Sequence, residues 1–551
     1  MEAIDRKKTY LFLSLGFSCL LLQGFFLFAG LHNKSYDAYV HMFFASHYAK
    51  HWFENWNLQW YTGFNVFLYP PLAHQCIGFL IPLLRSVEAS YAFWQWVVLW
   101  VFALGVYRFG RIWLSQEEAV LAALIGVFST SVFQTVYEYG QFPTLFALAI
   151  LLNALPFIRG WVQAGSLRGL VLGGFLMLVV LTSHHLTFFL GLFFFLLPVL
   201  LHEKETLQNF RDVKFIFRTG LFLFLIFGIG FILLQPFFSA LHSFSCEQKP
   251  IYHASRNNYF ASIIAFINFF ALPNIFWLPF IAAVLWKGWR EPGMRVLFLS
   301  WFALFILGLG GTTPIPKWIL GKLYDIITLD RFCLWATVVI LPILSRLIHK
   351  NGSKFILAGY LVFLAGLQLM MFVLVTKVKF QPDPLPMKPM VEFLEADEAK
   401  QYRYLTLGMG CQMARLGYLS DAQNVDGAYH TARPLPELRE SGIELLDGAK
   451  YFEEIGLRTL KKFIGNPEKF HLKYVFVNDP SYNRFLDEHG WKELTQLSNG
   501  VVVWSHDDIS PLRPEEMKLP KKTAPWMNLL WASYPLLILF FITLWIYFDV
   551  L

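Results

Sequence analysis

The chain has 551 residues, 56% of them hydrophobic and only 15% charged, and its mean hydropathy is +0.48. Soluble domains carry about 25% charged residues, so this apolar excess excludes an ordinary water-soluble protein. The net charge of +7 does not indicate nucleic acid, because Lys and Arg fall mostly between hydrophobic runs, where they set membrane orientation.

Arg6-Lys7-Lys8 precedes an apolar run, as in a signal peptide, but the run continues to about Gly30 without a small-residue cleavage site. It reads as an uncleaved first span. Further candidate spans lie at 90–107, 119–136, 143–158, 169–183, 186–201, 215–234, 260–286, 296–310, 333–348, 355–376 and 527–549, the first being 9–31. The run 71–84 is also apolar, but it is short and follows Pro70-Pro71, which favours a re-entrant or interfacial helix. The basic residues support this. Arg108 and Arg111, Arg159 and Arg168, Lys204 to Arg218, Lys287 to Arg295, and Arg346 to Lys354 all fall on the cytoplasmic side only if 71–84 does not cross. The count is then about twelve spans, with the N-terminus inside.

The external connections hold most of the chemically interesting residues. In the first, 32–89, the segment Ser35-Tyr36-Asp37-Ala38-Tyr39-Val40-His41 puts an acid and a histidine four residues apart on one helical face. Farther along, His51-Trp52-Phe53-Glu54-Asn55-Trp56-Asn57 resembles an interfacial amphipathic helix, a platform for sugar rings or for lipid headgroups. The second external turn is Tyr137-Glu138-Tyr139-Gly140-Gln141-Phe142-Pro143, where Glu138 is open to substrate binding, to a cation beside Asp37, or to simple hydration. His184-His185 forms a corner between two spans; such histidines cap helices, face headgroups or donate to phosphate. Lys249 and Arg256 lie in the next loop, and Lys317 and Asp330-Arg331-Phe332 in the one after. Arg331 is the sharpest candidate because a guanidinium matches phosphate with a planar fork of donors, whereas snorkelling to headgroups is its ordinary alternative.

The segment 377–526 differs in kind. It opens on the proline-rich Gln381-Pro382-Asp383-Pro384-Leu385-Pro386-Met387-Lys388-Pro389, read as an extended spacer. Short β-type runs follow at 402–407, 474–477 and 501–504, with helical pattern at 436–446 and 451–463. The expected fold class is therefore an α-helical polytopic bundle (1–376) with a small extracytoplasmic α/β domain (377–526) and a C-terminal membrane helix (527–551). Cys246 and Cys411 both fall in external regions, where a disulfide is open to them, though the spacings of the five cysteines favour unpaired thiols.

No Walker A loop, GxSxG elbow, HExxH or Rossmann fingerprint occurs, which argues against ATP-driven transport, serine hydrolysis and zinc proteolysis. Taken in order, Asp37, Tyr69-Pro70-Pro71-Leu72, Gly140-Gln141-Phe142-Pro143, His184-His185 and Asp330-Arg331-Phe332 resemble the GT-C superfamily of membrane glycosyltransferases, which use polyprenyl-phosphate sugars. The external Tyr402-Arg403-Tyr404-Leu405, Asn424-Val425-Asp426-Gly427 and Lys473-Tyr474-Val475-Phe476-Val477 are similar to the YfhO-type and related bacterial and archaeal membrane branch. The resemblance implies sugar transfer from a polyprenyl-phosphate donor to an extracytoplasmic glycan, lipid or protein, with inversion. It implies Asp37 as base, and His41, Glu138, His184, His185, Arg256, Lys317, Asp330 and Arg331 as substrate-binding residues. It also implies a cytoplasmic (inner) membrane protein whose active site faces outward among membrane lipids. Thr144 stands where many relatives carry a second acid, and Asp37 is not part of a DxD. These departures leave no cofactor certain and metal dependence open, with a divalent cation, if held, falling to Asp37 and Glu138. The alternatives are a lipid or polysaccharide transporter and a non-catalytic envelope assembly protein.

Overall fold

The computed structural model describes residues 6–202, 212–351, 354–378, 381–396, 398–513 and 523–550. Lys204 and Arg211 lie outside the described residues. Six helices are long and apolar enough to cross a membrane: Tyr10–Phe28, Val87–Gly110, Phe142–Ala164, Val213–Leu233, Asp330–Lys350 and Phe355–Lys377. Three bent pairs pass the same test together: Gln116–Val127 with Thr130–Tyr137, Ile263–Asn274 with Leu278–Arg290, and Pro525–Ala532 with Pro535–Tyr547. The bends have local causes. Ser129 interrupts the first pair and caps its second half through Val132 N. The second pair bends by 67° at residues 275–277, where Trp277 Nε1 donates to Asn274 Oδ1 and Pro279 opens the next helix, and Pro535 restarts the third.

Three of the four shorter apolar helices, Leu167–Ser183, His185–Leu200 and Arg295–Leu307, lie where the sequence placed further spans; by length and composition the described residues hold six spans, or up to nine if each bent pair counts as one. The first two meet at His184 on one rim of the bundle, while His202 Nδ1 and the Gly293 carbonyl meet at the other, 3.0 Å apart. The fourth short helix, Leu72–Leu84, does not cross. Tyr69 before it touches Tyr429 of the sheet domain, and Glu88 after it accepts a 2.9 Å bond from Tyr418 of the same domain. Both ends thus lie on one rim. The last helix ends at the opposite rim, where Arg108 stacks on Phe157 and Trp545.

The short antiparallel pair β1 (Trp56–Asn57) and β2 (Phe64–Asn65) lies in the first long loop. It corrects the expected amphipathic helix at His51–Asn57. The helix Ala38–Lys50 stops at His51, and the side chains that follow serve the turn: Asn57 Oδ1 accepts from Gln59 N, and Tyr61, Thr62 and Gly63 adopt positive φ.

The sheet domain carries β3 (Arg403–Leu407), β4 (Leu472–Val477), β5 (Lys492–Gln496) and β6 (Val502–Ser505) in the order β3-β4-β6-β5, with β3 and β4 parallel and the rest antiparallel. Strand β5 escapes sequence reading because it is an exposed edge with no apolar alternation. The helix expected over 436–446 is a single turn, Pro436–Arg439, ended by Gly442 in a left-handed conformation. Nor is the proline-rich entrance a free spacer. Gln381 Oε1 accepts from Cys411 N, and Gln412 Nε2 donates to the carbonyls of Pro382 and Asp383, strapping the segment across the helix Gln412–Leu419. One apolar core runs from the bundle into the domain through Phe43, Trp60, Ala414 and Tyr418, and a second fills the far side of the sheet around Met390, Tyr404 and Phe476. All five cysteines are free thiols.

Candidate functional site

Asp37 occupies the N-cap position of the helix Ala38–Lys50, yet its carboxylate makes no capping bond. The capping task falls to Ser35 Oγ, which accepts from Ala38 N at 3.3 Å. An aspartate at an N-cap ordinarily binds the first-turn amides; here the carboxylate is left free for something else. Backbone bonds from Tyr36 N to the Glu138 carbonyl and from Asp37 N to the Tyr139 carbonyl, both 3.0 Å, fasten this loop to the second external turn. One turn into the helix, His41 Nδ1 meets His74 Nε2 at 3.0 Å.

Asp330 and Arg331 open the helix Asp330–Asn351. Their approach is fixed from behind: Leu329 N donates to Ser255 Oγ at 2.9 Å, and a Cβ on Gly311 would fall 2.0 Å from the Arg256 carbonyl, so the loops 251–257 and 310–312 touch backbone to backbone. Gln141 Nε2 donates to Asp330 Oδ2 at 2.6 Å, which ties the second external turn to this helix as well. Arg331 Nε is buried without a hydrogen-bond partner. A buried guanidinium donor left unmade costs about 1–3 kcal/mol or more, so the position is destabilising unless a ligand answers it.

Asp37 and Arg331 influence each other electrostatically but form no ion pair within 4.0 Å. Burial among protein groups pushes the Asp37 carboxyl up to about 7 despite the opposing pull of Arg331. Its side chain still opens partly to the space between them. Burial likewise raises Glu138 to about 7, against a 2.9 Å bond from Gln134 Nε2. The histidines around Arg331 are held neutral: burial lowers His253 and brings His430 down to about 3, with the Arg433 charge adding to the latter. Arg331 is the cation whose charge acts on Asp37.

Two of these groups come from the sheet domain, which was not expected to supply them. Tyr429 stacks edge-on against Tyr69 with ring centres 4.4 Å apart and donates to the Leu68 carbonyl at 3.2 Å. His430 follows it. Tyr69 belongs to a motif legible in the sequence, but His74, His253, Tyr429 and His430 carry no spacing signal, because their neighbours in space are far away in the chain.

The structure brings together Asp37, His41, Asp330 and Arg331, with Glu138 and His184 at the edges. His184 is a helix cap, its Nδ1 accepting from Thr187 N, and it lies within electrostatic reach of Arg331. His185 turns to Phe237 at 4.8 Å. Arg256 is tied into the wall, donating to the carbonyls of Ile327 and Ile251 at 3.2 and 2.6 Å. Lys317 is exposed on the helix Ile315–Leu320 and, among the described residues, is bonded to none of the cluster. For a cation, no group of three or more His, Cys, Asp and Glu side chains is arranged as ligands among the described residues. Glu138 Oε2 accepts from Gln134 Nε2 at 2.9 Å.

This architecture, a helical bundle with a polar cluster at one rim and a domain folded over it, is shared with solved membrane-protein structures. ArnT from Cupriavidus metallidurans in the apo state superposes with a TM-score of 0.56 over 91% of this chain and 98% of that one, at 10% identity. The Archaeoglobus fulgidus oligosaccharyltransferase in the apo form gives 0.52 over 85% of this chain and 69% of that one, at 12% identity. The mycobacterial arabinofuranosyltransferase AftD gives 0.50 at 13% identity, this chain spanning 92% of itself but 42% of that longer protein. No protein-family model matches the chain, and no curated protein matches it.

Proposed function

We propose that this protein is a membrane glycosyltransferase that moves a sugar from a polyprenyl-phosphate donor to an acceptor hydroxyl, with the cleft facing outward from the cytoplasmic membrane. The observation that carries this reading is the uncommitted Asp37 carboxylate set opposite the unpartnered Arg331 guanidinium. Likeness of fold supports the donor class: ArnT was also solved bound to undecaprenyl phosphate, and the Archaeoglobus fulgidus oligosaccharyltransferase AglB with a dolichol-phosphate.

In this reading the acceptor hydroxyl gives its proton to Asp37 as its oxygen attacks the anomeric carbon. The bond from that carbon to the phosphate oxygen breaks with inversion, and the lipid phosphate leaves with one further negative charge. Arg331 receives that charge through its free donors, so no acid is needed on the leaving group. Proton acceptance by a positioned base is worth about 10²–10⁴-fold. Asp37, with its carboxyl held near 7, is poised for that exchange. His41, hydrogen-bonded to His74 and beside the Tyr69 ring, and the ring pair Tyr69–Tyr429 stand next to the Asp37 loop, on the side where this reading puts the sugar. A transporter would need charge along the bundle axis, whereas these charges gather at one rim.

The test is transfer from a radiolabelled polyprenyl-phosphate sugar by Asp37→Asn. Turnover two to four orders of magnitude below wild type, with donor binding retained, is the expected result. Near-normal transfer would remove Asp37 from the mechanism and favour the transporter.

A further inference from the structure

The far rim of the bundle carries a second cluster of charge that sugar transfer does not use. Arg346 lies sixteen residues beyond Asp330 on the same helix, about 24 Å from the cleft at 1.5 Å per residue. There an open cavity of about 220 Å³ is lined by Lys287, Glu291, Arg346 and Lys350, with Met294 and Ile343 among its apolar walls.

The charges in this cavity do not balance. Arg346 is committed: Nη1 donates to Glu291 at 2.5 Å, Nε lies 3.7 Å from Glu118, and Nη2 donates to the Trp113 carbonyl. Two carboxylates thus meet one guanidinium. Lys287 and Lys350 have no acidic partner among the described residues, and both face the same space. On the neighbouring side of the helix Ile281–Arg290, an apolar groove lies open, with the rings of Trp286, Trp289 and Phe302 exposed and that of Phe298 buried. Arg290 stacks on Trp286 at 3.4 Å. Tryptophan and arginine so paired mark the headgroup level of a bilayer.

We propose that Lys287 and Lys350 form a binding site for the phosphate of an anionic lipid headgroup at the rim opposite the Asp37 cleft. Two lysines match the charge of a phosphate monoester or diester as point charges, while the Arg346–Glu291–Glu118 network holds the walls in place. The same chemistry would take a free phosphate ion, and the adjoining aromatic groove favours the lipid. The proposal does not depend on sugar transfer.

The test is native mass spectrometry of the full chain in detergent, with phosphatidic acid, phosphatidylcholine and inorganic phosphate as separate probes. The expected result is retention of phosphatidic acid over phosphatidylcholine, at least about ten-fold weaker in Lys287→Gln/Lys350→Gln and kept in Lys287→Arg/Lys350→Arg. Displacement of the lipid by millimolar inorganic phosphate would assign the site to the free ion. Equal retention of both lipids, or undiminished phosphatidic acid in the Gln double variant, would overturn the site. If the double variant fails to fold, the single variants and the melting temperature of the wild type with each lipid decide. Stabilisation by phosphatidic acid alone, weakened in either single variant, supports the site, and its absence overturns it.

Discussion

Gly140 and Ser35 approach so closely that a Cβ at position 140 would fall 2.5 Å from Ser35 Oγ and 2.7 Å from Ala38 N. Gly140 also has φ of +70°, a conformation that side chains disfavour. This contact presses the second external turn onto the first and so sets the position of Asp37. Gly140→Ala is therefore expected to lose about 1–2 kcal/mol from the backbone alone, and to displace Asp37. A 1 Å misplacement costs about 10²-fold in rate. Transfer assays and melting temperature, measured together, should show a rate loss larger than the loss of stability explains.

The pH dependence has a definite sign. Asp37 acts as base only when ionised, and its folded value is about 7. Activity should rise with pH through about 7 and fall away below it. Arg331 lowers that value, so Arg331→Gln should move the acid limb of kcat/KM to higher pH as well as reduce the rate. An unmoved limb would separate Arg331 from Asp37. Stability runs the other way: because folding raises the Asp37 value, ionisation opposes the folded state. Asp37→Asn should raise the melting temperature above pH 7 and leave it nearly unchanged near pH 4.

The sheet domain is expected to be needed for catalysis, since Tyr429 stands in the cleft. Its seat depends on Gly427, where a Cβ would fall 2.6 Å from the Tyr61 ring and 2.8 Å from Trp60 Cβ. Gly427→Ala should push the domain off this loop and lower transfer about ten-fold or more. Tyr429→Phe loses the hydroxyl's bond to the Leu68 carbonyl and its interaction with Thr431, and should cost about 1 kcal/mol. Equal activity in both variants would make the domain a bystander.

Orientation can be read by labelling. Cysteines 19, 76, 333 and 411 are buried, so a Cys246→Ser background leaves little reactive thiol. Tyr451 is 77% exposed on the sheet domain. Tyr451→Cys in that background should react with an impermeant maleimide on intact cells. Reaction only after lysis would turn the cleft to the cytoplasm and exclude an outward-facing transferase.

Much of the bundle was legible in the sequence because bilayer hydrophobicity is a local property. Runs of apolar residues marked the membrane helices, and the basic residues between them anticipated that Leu72–Leu84 turns back. The same residues Arg108, Lys287 and Arg346 gather at one rim and Asp37, Glu138 and Arg331 at the other. Strands β3, β4 and β6 were visible as apolar runs, whereas exposed β5 was not.

The cleft was only half legible. Asp37 and Arg331 stood out as charges at span ends, but no spacing rule joins residues 37 and 331. Only the packed chain decided that Ser35 would take over the capping bond and leave Asp37 free, and that Gln141 would bind Asp330. It also decided that Arg256 would be consumed by backbone carbonyls and that Tyr429 would enter from a separate domain. Hydrophobic burial is written residue by residue along a span. The pairing of polar groups depends on which loops meet at the rim, and that follows from close backbone contacts such as those at Gly140 and Gly311.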